Sequence, residues 1–192
     1  MPFALETAPH PEKLRRVAIE PVSRVEGHGK VTILLEPFAP TDFFVALFGA
    51  GKDDTAAYAS SRPLEAVPGE KWSYASGTTN IIMRLVGSVV GGGEAGMTTF
   101  MRERLFGPIG MDSAIPKFDA AGTFIGSSFL YATARDFARF GELYRLDGIT
   151  PEGRRLLPEG WSAHARHHSA TDDESGFGYG AHWWLWPDVD GG

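Results

Sequence analysis

Cysteine is absent from the 192 residues. Its absence excludes disulfides, thiol catalysis and every thiolate-held metal or cluster, and it leaves the redox compartment unreadable. No run of about 18 apolar residues occurs, so no transmembrane helix is expected. Lysine and arginine total 18 against 24 acidic residues, for a net charge of −6. No large basic block stands out, and nucleic acid is not an expected partner. The first residues, Met1-Pro2-Phe3-Ala4-Leu5-Glu6, lack the charged-then-apolar layout of a signal peptide, which makes the cytoplasm the default location. Neither a Gly-x-Ser-x-Gly elbow nor a Gly-Lys-Ser/Thr sequence after Gly91-Gly92-Gly93 is present. What remains is 43% hydrophobic and 22% charged, as expected of a soluble globular chain of one ordinary domain.

The chain is organised around Pro68-Gly69-Glu70-Lys71-Trp72-Ser73-Tyr74-Ala75-Ser76-Gly77-Thr78-Thr79-Asn80. Pro68-Gly69 marks a turn. Trp72, Ser73 and Tyr74 alternate apolar and polar, as a short half-buried extended segment does. Ser76, Thr78 and Thr79 offer oxygens where the first N–H groups of a helix need acceptors. Ile81 to Val90 is apolar apart from Arg84 and Ser88, so a helix with a buried face follows, and Gly91–Gly93 stops it. Tyr74 then sits at the mouth of that helix, as a core residue with a satisfied hydroxyl or as a catalytic phenol.

The rest of the pattern is read in chain order. Residues 1–12 hold three prolines and little periodicity. Val17–Ile19 and Val31–Leu35 are strand-like runs joined near Glu26–Gly29, which predicts a β-hairpin. Pro37 and Pro40 break the pattern at a boundary over 37–41. Asp53-Asp54-Thr55 predicts a capped helix to about Ser61, ended by Arg62-Pro63. A further helix is expected from about Met97 to Leu105 or Phe106, with a turn at Pro108–Met111. Phe118–Ser128 reads as extended and glycine-punctuated. Thr133-Ala134-Arg135-Asp136 has the form of a capping box, with Asp for Glu. It opens a helix with Phe137, Phe140, Leu143 and Tyr144 on one face, closed by Gly148. Leu156–Trp161 leads into another short helix, and Gly176–Trp186 reads as a strand. His164, His167 and His168 with Asp172, Asp173 and Glu174 lie in a polar stretch without metal-ligand spacing, so a solvated surface is expected.

Two sets of words carry resemblances. Over 42–186, Trp72-Ser73-Tyr74-Ala75-Ser76-Gly77-Thr78-Thr79-Asn80 is followed in order by Leu105-Phe106-Gly107-Pro108-Ile109-Gly110-Met111. Then come Gly126-Ser127-Ser128, Leu130-Tyr131-Ala132-Thr133-Ala134-Arg135-Asp136, Leu157-Pro158-Glu159-Gly160-Trp161, and Gly178-Tyr179-Gly180 with Trp183-Trp184. This series resembles the serine hydrolases of the β-lactamase and penicillin-binding-protein superfamily, in the branch of class C-type β-lactamases, esterases and 6-aminohexanoate-dimer hydrolases. The resemblance implies a site with three walls: a Ser-x-x-Lys helix, a Tyr-x-Asn/Ser loop and a third motif on a late strand. Only the second has a counterpart, Tyr74-Ala75-Ser76. Lys13, Lys30, Lys52, Lys71 and Lys117 are preceded at the required offset by His10, Gly27, Gly49, Pro68 and Ala114. The third motif would fall beyond Trp186.

Over 16–35, Ile19-Glu20-Pro21-Val22-Ser23-Arg24-Val25-Glu26-Gly27-His28-Gly29-Lys30 resembles the N-terminal motif of nickel–iron hydrogenase large subunits. There the glutamate at the Glu26 position is implicated in proton transfer. The metals of that family are held by cysteines, and this chain has none; Glu26 and His28 are expected to be hairpin-loop residues. The join at Glu36–Pro40 suggests a fusion or a misassembled reading frame.

The expected fold is thus an α-rich α+β chain: an incomplete β-lactamase/transpeptidase-like fold, mainly its helical lobe, behind an N-terminal β-hairpin. Its layout is a hydrogenase-like segment over 1–36, a junction over 37–41 and a partial hydrolase domain over 42–192. The resemblance implies Tyr74 and Ser76 as vestigial catalytic residues, an amide or ester substrate in the parent family, and no cofactor or metal. A helical lobe without its sheet would expose an apolar face and favour self-association. Three functions stay open: a partial and inactive serine hydrolase, a non-catalytic binding module, and a hydrogenase-related accessory piece.

Overall fold

The computed structural model describes residues 45–64, 66–67, 69–173 and 175–186. The expected hairpin, with Glu26 and His28, and the 37–41 junction lie outside them. Within them the fold is helix-rich with small antiparallel sheets.

Helix α1, Thr55–Ser60, is capped by Asp54, whose carboxylate accepts the Ala57 N–H at 2.9 Å. It packs on α2, Ser76–Val90, and the contact buries Ala56, Ala59 and Ile81. A closed ring of polar links fixes the pair. Arg84 on α2 donates to Asp54 and to the Thr123 hydroxyl, each at 2.6 Å. The Thr123 N–H donates to Asp119 at 2.8 Å, and Asp119 accepts both the N–H and the hydroxyl of Thr55 at 2.9 Å. Asp119 therefore acts as a second cap for α1 from 64 residues away, satisfying a first-turn donor that the helix itself cannot.

The expected serine and threonine cap of α2 is not formed. Ala75, in extended conformation, stands at the N-cap and makes no side-chain cap bond. Ser76 is already the first helical residue, and Thr78 and Thr79 point along the opening turn beside a cleft. The helix ends as expected, with Gly91, Gly92 and Gly93 all at positive φ.

The next helix, α3, starts earlier than its apolar residues suggest, at Gly93 rather than near Met97, and runs to Met101. It widens into a π turn over Arg102–Phe106 and tightens into a 3-10 turn over Gly107–Ile109. Met97, Met101, Phe106 and Ile109 fall on the inner side of this curved run. They join Met111, Ala114 and Leu143 in the main core.

Helix α4, Ala134–Arg145, brings Leu143 to that core, with Phe140 and Tyr144 half-buried beside it. Phe137, expected on the same face, is instead 46% exposed. The capping box is half-formed. The Thr133 hydroxyl accepts the Asp136 N–H at 3.3 Å, but Asp136 does not return the bond. Aspartate is one methylene shorter than the usual glutamate, and Ser113 fills the gap. Ser113 gives its N–H and hydroxyl to Asp136 at 2.9 and 2.6 Å and accepts the Thr133 N–H at 2.9 Å. A neighbouring loop is thereby pinned to the start of α4. Gly148 then closes the helix, at φ 79, with its N–H on the Leu143 carbonyl.

Strands β1, Ile115–Pro116, and β2, Leu130–Tyr131, pair antiparallel. After the short helix α5, Trp161–Ala165, strands β3 (Ala170–Thr171), β4 (Gly178–Tyr179) and β5 (Trp184–Leu185) form an antiparallel sheet in that order. The segment 176–186, expected as one strand, is a hairpin. His182 makes the turn at φ 62, a conformation rare for a residue with a Cβ. At Gly180 the chain passes so close to α5 that a Cβ would lie 2.1 Å from the Ala165 carbonyl. The Ala181 N–H donates to that same carbonyl at 3.0 Å. This contact sets the hairpin against the rest of the fold, and with it one wall of the cleft.

Candidate active site

Three separated stretches surround a cleft of about 520 Å³. The segment leading into α2 supplies Trp72, Tyr74 and Ser76. The 126–127 turn supplies Gly126 and Ser127, and the β4–β5 hairpin supplies Tyr179 and His182. The volume is within the range of small-molecule sites.

The two aromatic walls meet. The Tyr74 ring lies 5.7 Å from Tyr179 and 4.9 Å from Trp184, centroid to centroid, and Trp72 lies 5.1 Å from Tyr179. The pairing of Tyr179 with Trp184 across β4–β5 puts both rings on one face, 5.0 Å apart. Edge-to-face and tilted contacts at these distances are the favoured aromatic geometries. They hold the Trp72–Tyr74 segment, which has no regular secondary structure, against the sheet. Tyr74 remains 55% exposed.

Burial, and next to it the neighbouring Tyr74, pushes the Tyr179 phenol up to about 12. Tyr179 is thus neutral at ordinary pH. Ser76 stands in the opening turn of α2, two residues from Tyr74 and on the same cleft wall. The two sequence-predicted site residues are therefore brought to one site. Among the described lining residues there is no lysine, arginine, aspartate or glutamate. A cation is what would draw a tyrosine phenol below its ordinary pKa near 10 and ready it to take a proton.

Tyr179, His182 and the 126–127 turn line the same cleft, and they were not singled out as site residues from the sequence. The glycine-flanked Gly178-Tyr179-Gly180 was visible as a word, but the turn that brings it back to Tyr74 rests on His182 at positive φ, which no turn residue announces. The histidine-rich stretch lies elsewhere. His164 packs on Trp161 in α5 and His168 meets the Thr171 hydroxyl at 3.0 Å. Among the described residues no group of three or more histidine, aspartate or glutamate side chains is placed to hold a metal. Nor is any helix among them long and apolar enough to cross a membrane.

Compared with known families, residues 32–192 match the family profile described as Beta-lactamase, and residues 16–37 match, weakly, one described as HoxL-like. The two matches overlap over residues 32–37. No curated protein gives a significant match.

Proposed function

The chain belongs to the β-lactamase family, and on that premise we propose that it is a catalytically incomplete serine hydrolase, with a cleft for an amide or ester but no activated nucleophile. A serine hydroxyl attacks a carbonyl only when a base takes its proton. In this family the lysine of Ser-x-x-Lys fills that part beside the tyrosine. The observation that carries the proposal is the composition of the Tyr74 cleft. It offers a phenol and the hydroxyls of Ser73, Ser76 and Ser127, with no lysine or arginine among the described lining residues. No serine in the sequence stands three positions before a lysine. Tyr74 and Ser76 are the vestiges of the catalytic wall.

Intact-mass measurement after incubation with a fluorophosphonate and with 4-nitrophenyl acetate, both uncharged acylating or phosphonylating probes, tests this. No adduct is expected. A stoichiometric adduct on Ser73, Ser76 or Ser127 would overturn it.

A binding module is the second reading, favoured by the three aromatic rings of Trp72, Tyr74 and Tyr179 on the cleft wall. It requires a cooperatively folded chain, so a sharp thermal transition supports it and a molten product counts against it. The hydrogenase-like segment, placed at 1–36 ahead of a junction at 37–41, carries no nickel–iron chemistry without cysteine. Self-association is part of the same proposal. Val89 is 88% exposed, Trp186 70% and Phe48 59%; dimers or larger species seen by light scattering would support it, and a strictly monomeric chain would count against it.

A further inference from the structure

We propose that the Tyr74 cleft selects an uncharged amide or ester bearing an aryl or alkyl group, and discriminates against ligands that carry a carboxylate. This rests on reading the cleft as the family's substrate site. Three observations support it. First, the lining is made of aromatic rings, hydroxyls and glycine backbone, with His182 as its sole imidazole and no Asp, Glu, Lys or Arg among the described lining residues. A carboxylate placed there would shed water without gaining an ion pair. Second, the rings of Trp72, Tyr74 and Tyr179 form one continuous wall, at centroid separations of 5.1 and 5.7 Å, suited to a flat or branched apolar group. Third, the net charge of −6 sets the long-range field against anions.

Among the described residues, a feature that favours negative charge is the amino end of α2, whose N-cap Ala75 makes no side-chain cap bond and which opens on the cleft through Ser76 and Thr78. A helix end of this kind changes affinity by about twofold to fivefold. Its N–H groups serve a neutral carbonyl oxygen equally well. Hydroxyls at Thr78, Thr79 and Ser127 add neutral donors and acceptors for an amide or ester group.

The test uses three amides of matched shape, which resist turnover: acetanilide, 4-acetamidobenzoate and 4-acetamidobenzylamine. Binding is followed by tryptophan fluorescence of the full chain, up to about 10 mM ligand. Acetanilide is expected to bind at least about tenfold tighter than the carboxylate and tighter than the ammonium compound. Trp72→Ala is expected to weaken acetanilide by about fivefold or more. Thr79→Lys, checked for an unchanged circular dichroism spectrum, is expected to bring the carboxylate level with acetanilide or ahead of it. Equal or tighter carboxylate binding to the unaltered chain, tightest binding of the ammonium compound, or no binding of any of the three would overturn the proposal. So would Trp72→Ala that leaves acetanilide binding unchanged. The outcome is separable from that of covalent labelling. A labelled serine with the neutral preference intact would remove only the claim of catalytic incompleteness. An unlabelled chain that prefers the carboxylate would remove only the selectivity.

Discussion

Removing the Asp119 carboxylate should cost far more stability than a typical surface substitution, because it unties α1, α2 and the 118–124 loop at one point. Asp119 is 7% exposed and accepts bonds from Thr55, 0% exposed, and Thr123, 2% exposed. In Asp119→Ala the Thr55 N–H, the Thr55 hydroxyl and the Thr123 N–H all lose their acceptor in a site with little access to water. Bonds to a carboxylate contribute about 1.5–3 kcal/mol each, and bonds in one network do not add. A loss of about 3–5 kcal/mol follows, the range for breaking a buried polar network by one partner. Asp119→Asn retains one oxygen. With that oxygen turned to Thr55, two bonds survive and an amide NH₂ faces the Thr123 N–H, for a loss of about 1–3 kcal/mol. In urea, with a slope of about 2 kcal/mol/M, the midpoint should fall by about 1.5–2.5 M for alanine and by about 0.5–1.5 M for asparagine. Far-UV circular dichroism would follow both transitions. A loss under about 1 kcal/mol for alanine, or equal losses for both variants, would refute the view that Asp119 caps α1 and joins it to the 118–124 loop.

Other consequences are independent of that one. Asn80 is fully buried in α2 and neither atom of its amide has a hydrogen-bond partner among the described residues; Asn80→Leu, with the same branching and number of side-chain heavy atoms but a larger volume, should stabilise by about 1–3 kcal/mol, and a lower melting temperature would contradict it. Hydrogen bonds from the Ser113 hydroxyl first, and then from its backbone N–H, hold the Asp136 carboxyl below its ordinary value of 3.8, against the opposing effect of burial. Because the folded value is the lower one, this contribution is fully present above the unfolded value and is lost as pH falls through the folded one. The stability gap between the unaltered chain and Asp136→Asn should therefore be flat above about pH 5 and narrow progressively as pH falls below about 4; a gap that stays constant or widens on acidification would contradict it. Gly180→Ala places a Cβ 2.1 Å from the Ala165 carbonyl, so the β4–β5 hairpin must shift, and tryptophan fluorescence of Trp184 beside Tyr74 should change even where the helices stay folded.

Much of this architecture was legible because it is local. Asp54 as a cap, the glycine stop at Gly91–Gly93 and the closing Gly148 follow from residue chemistry within a turn or two. The start of α3 was misplaced because Gly93, Glu94 and Gly96 lack an apolar face, and the helix there is carried by its neighbours rather than by propensity. Asp136 looked like the second arm of a capping box, but a serine 23 residues away took the bond. Asp119 gave no sign of capping a helix 64 residues earlier. The cleft was half legible. Tyr74 and Ser76 were marked by their words, whereas Tyr179 and His182 join them through a hairpin whose turn uses a non-glycine residue at positive φ. Contacts that depend on long-range closure leave little trace in local pattern.

Catalytic incompleteness is tested most directly by whether the Tyr74 cleft turns over substrate. Initial rates with two uncharged chromogenic esters, 4-nitrophenyl acetate and 4-nitrophenyl butyrate, for the purified chain and for Tyr74→Phe, measure this directly. The account predicts rates at the uncatalysed background, identical for both proteins. Turnover above background that disappears in Tyr74→Phe would contradict it, and would mean that the cleft around Tyr74 is a working active site.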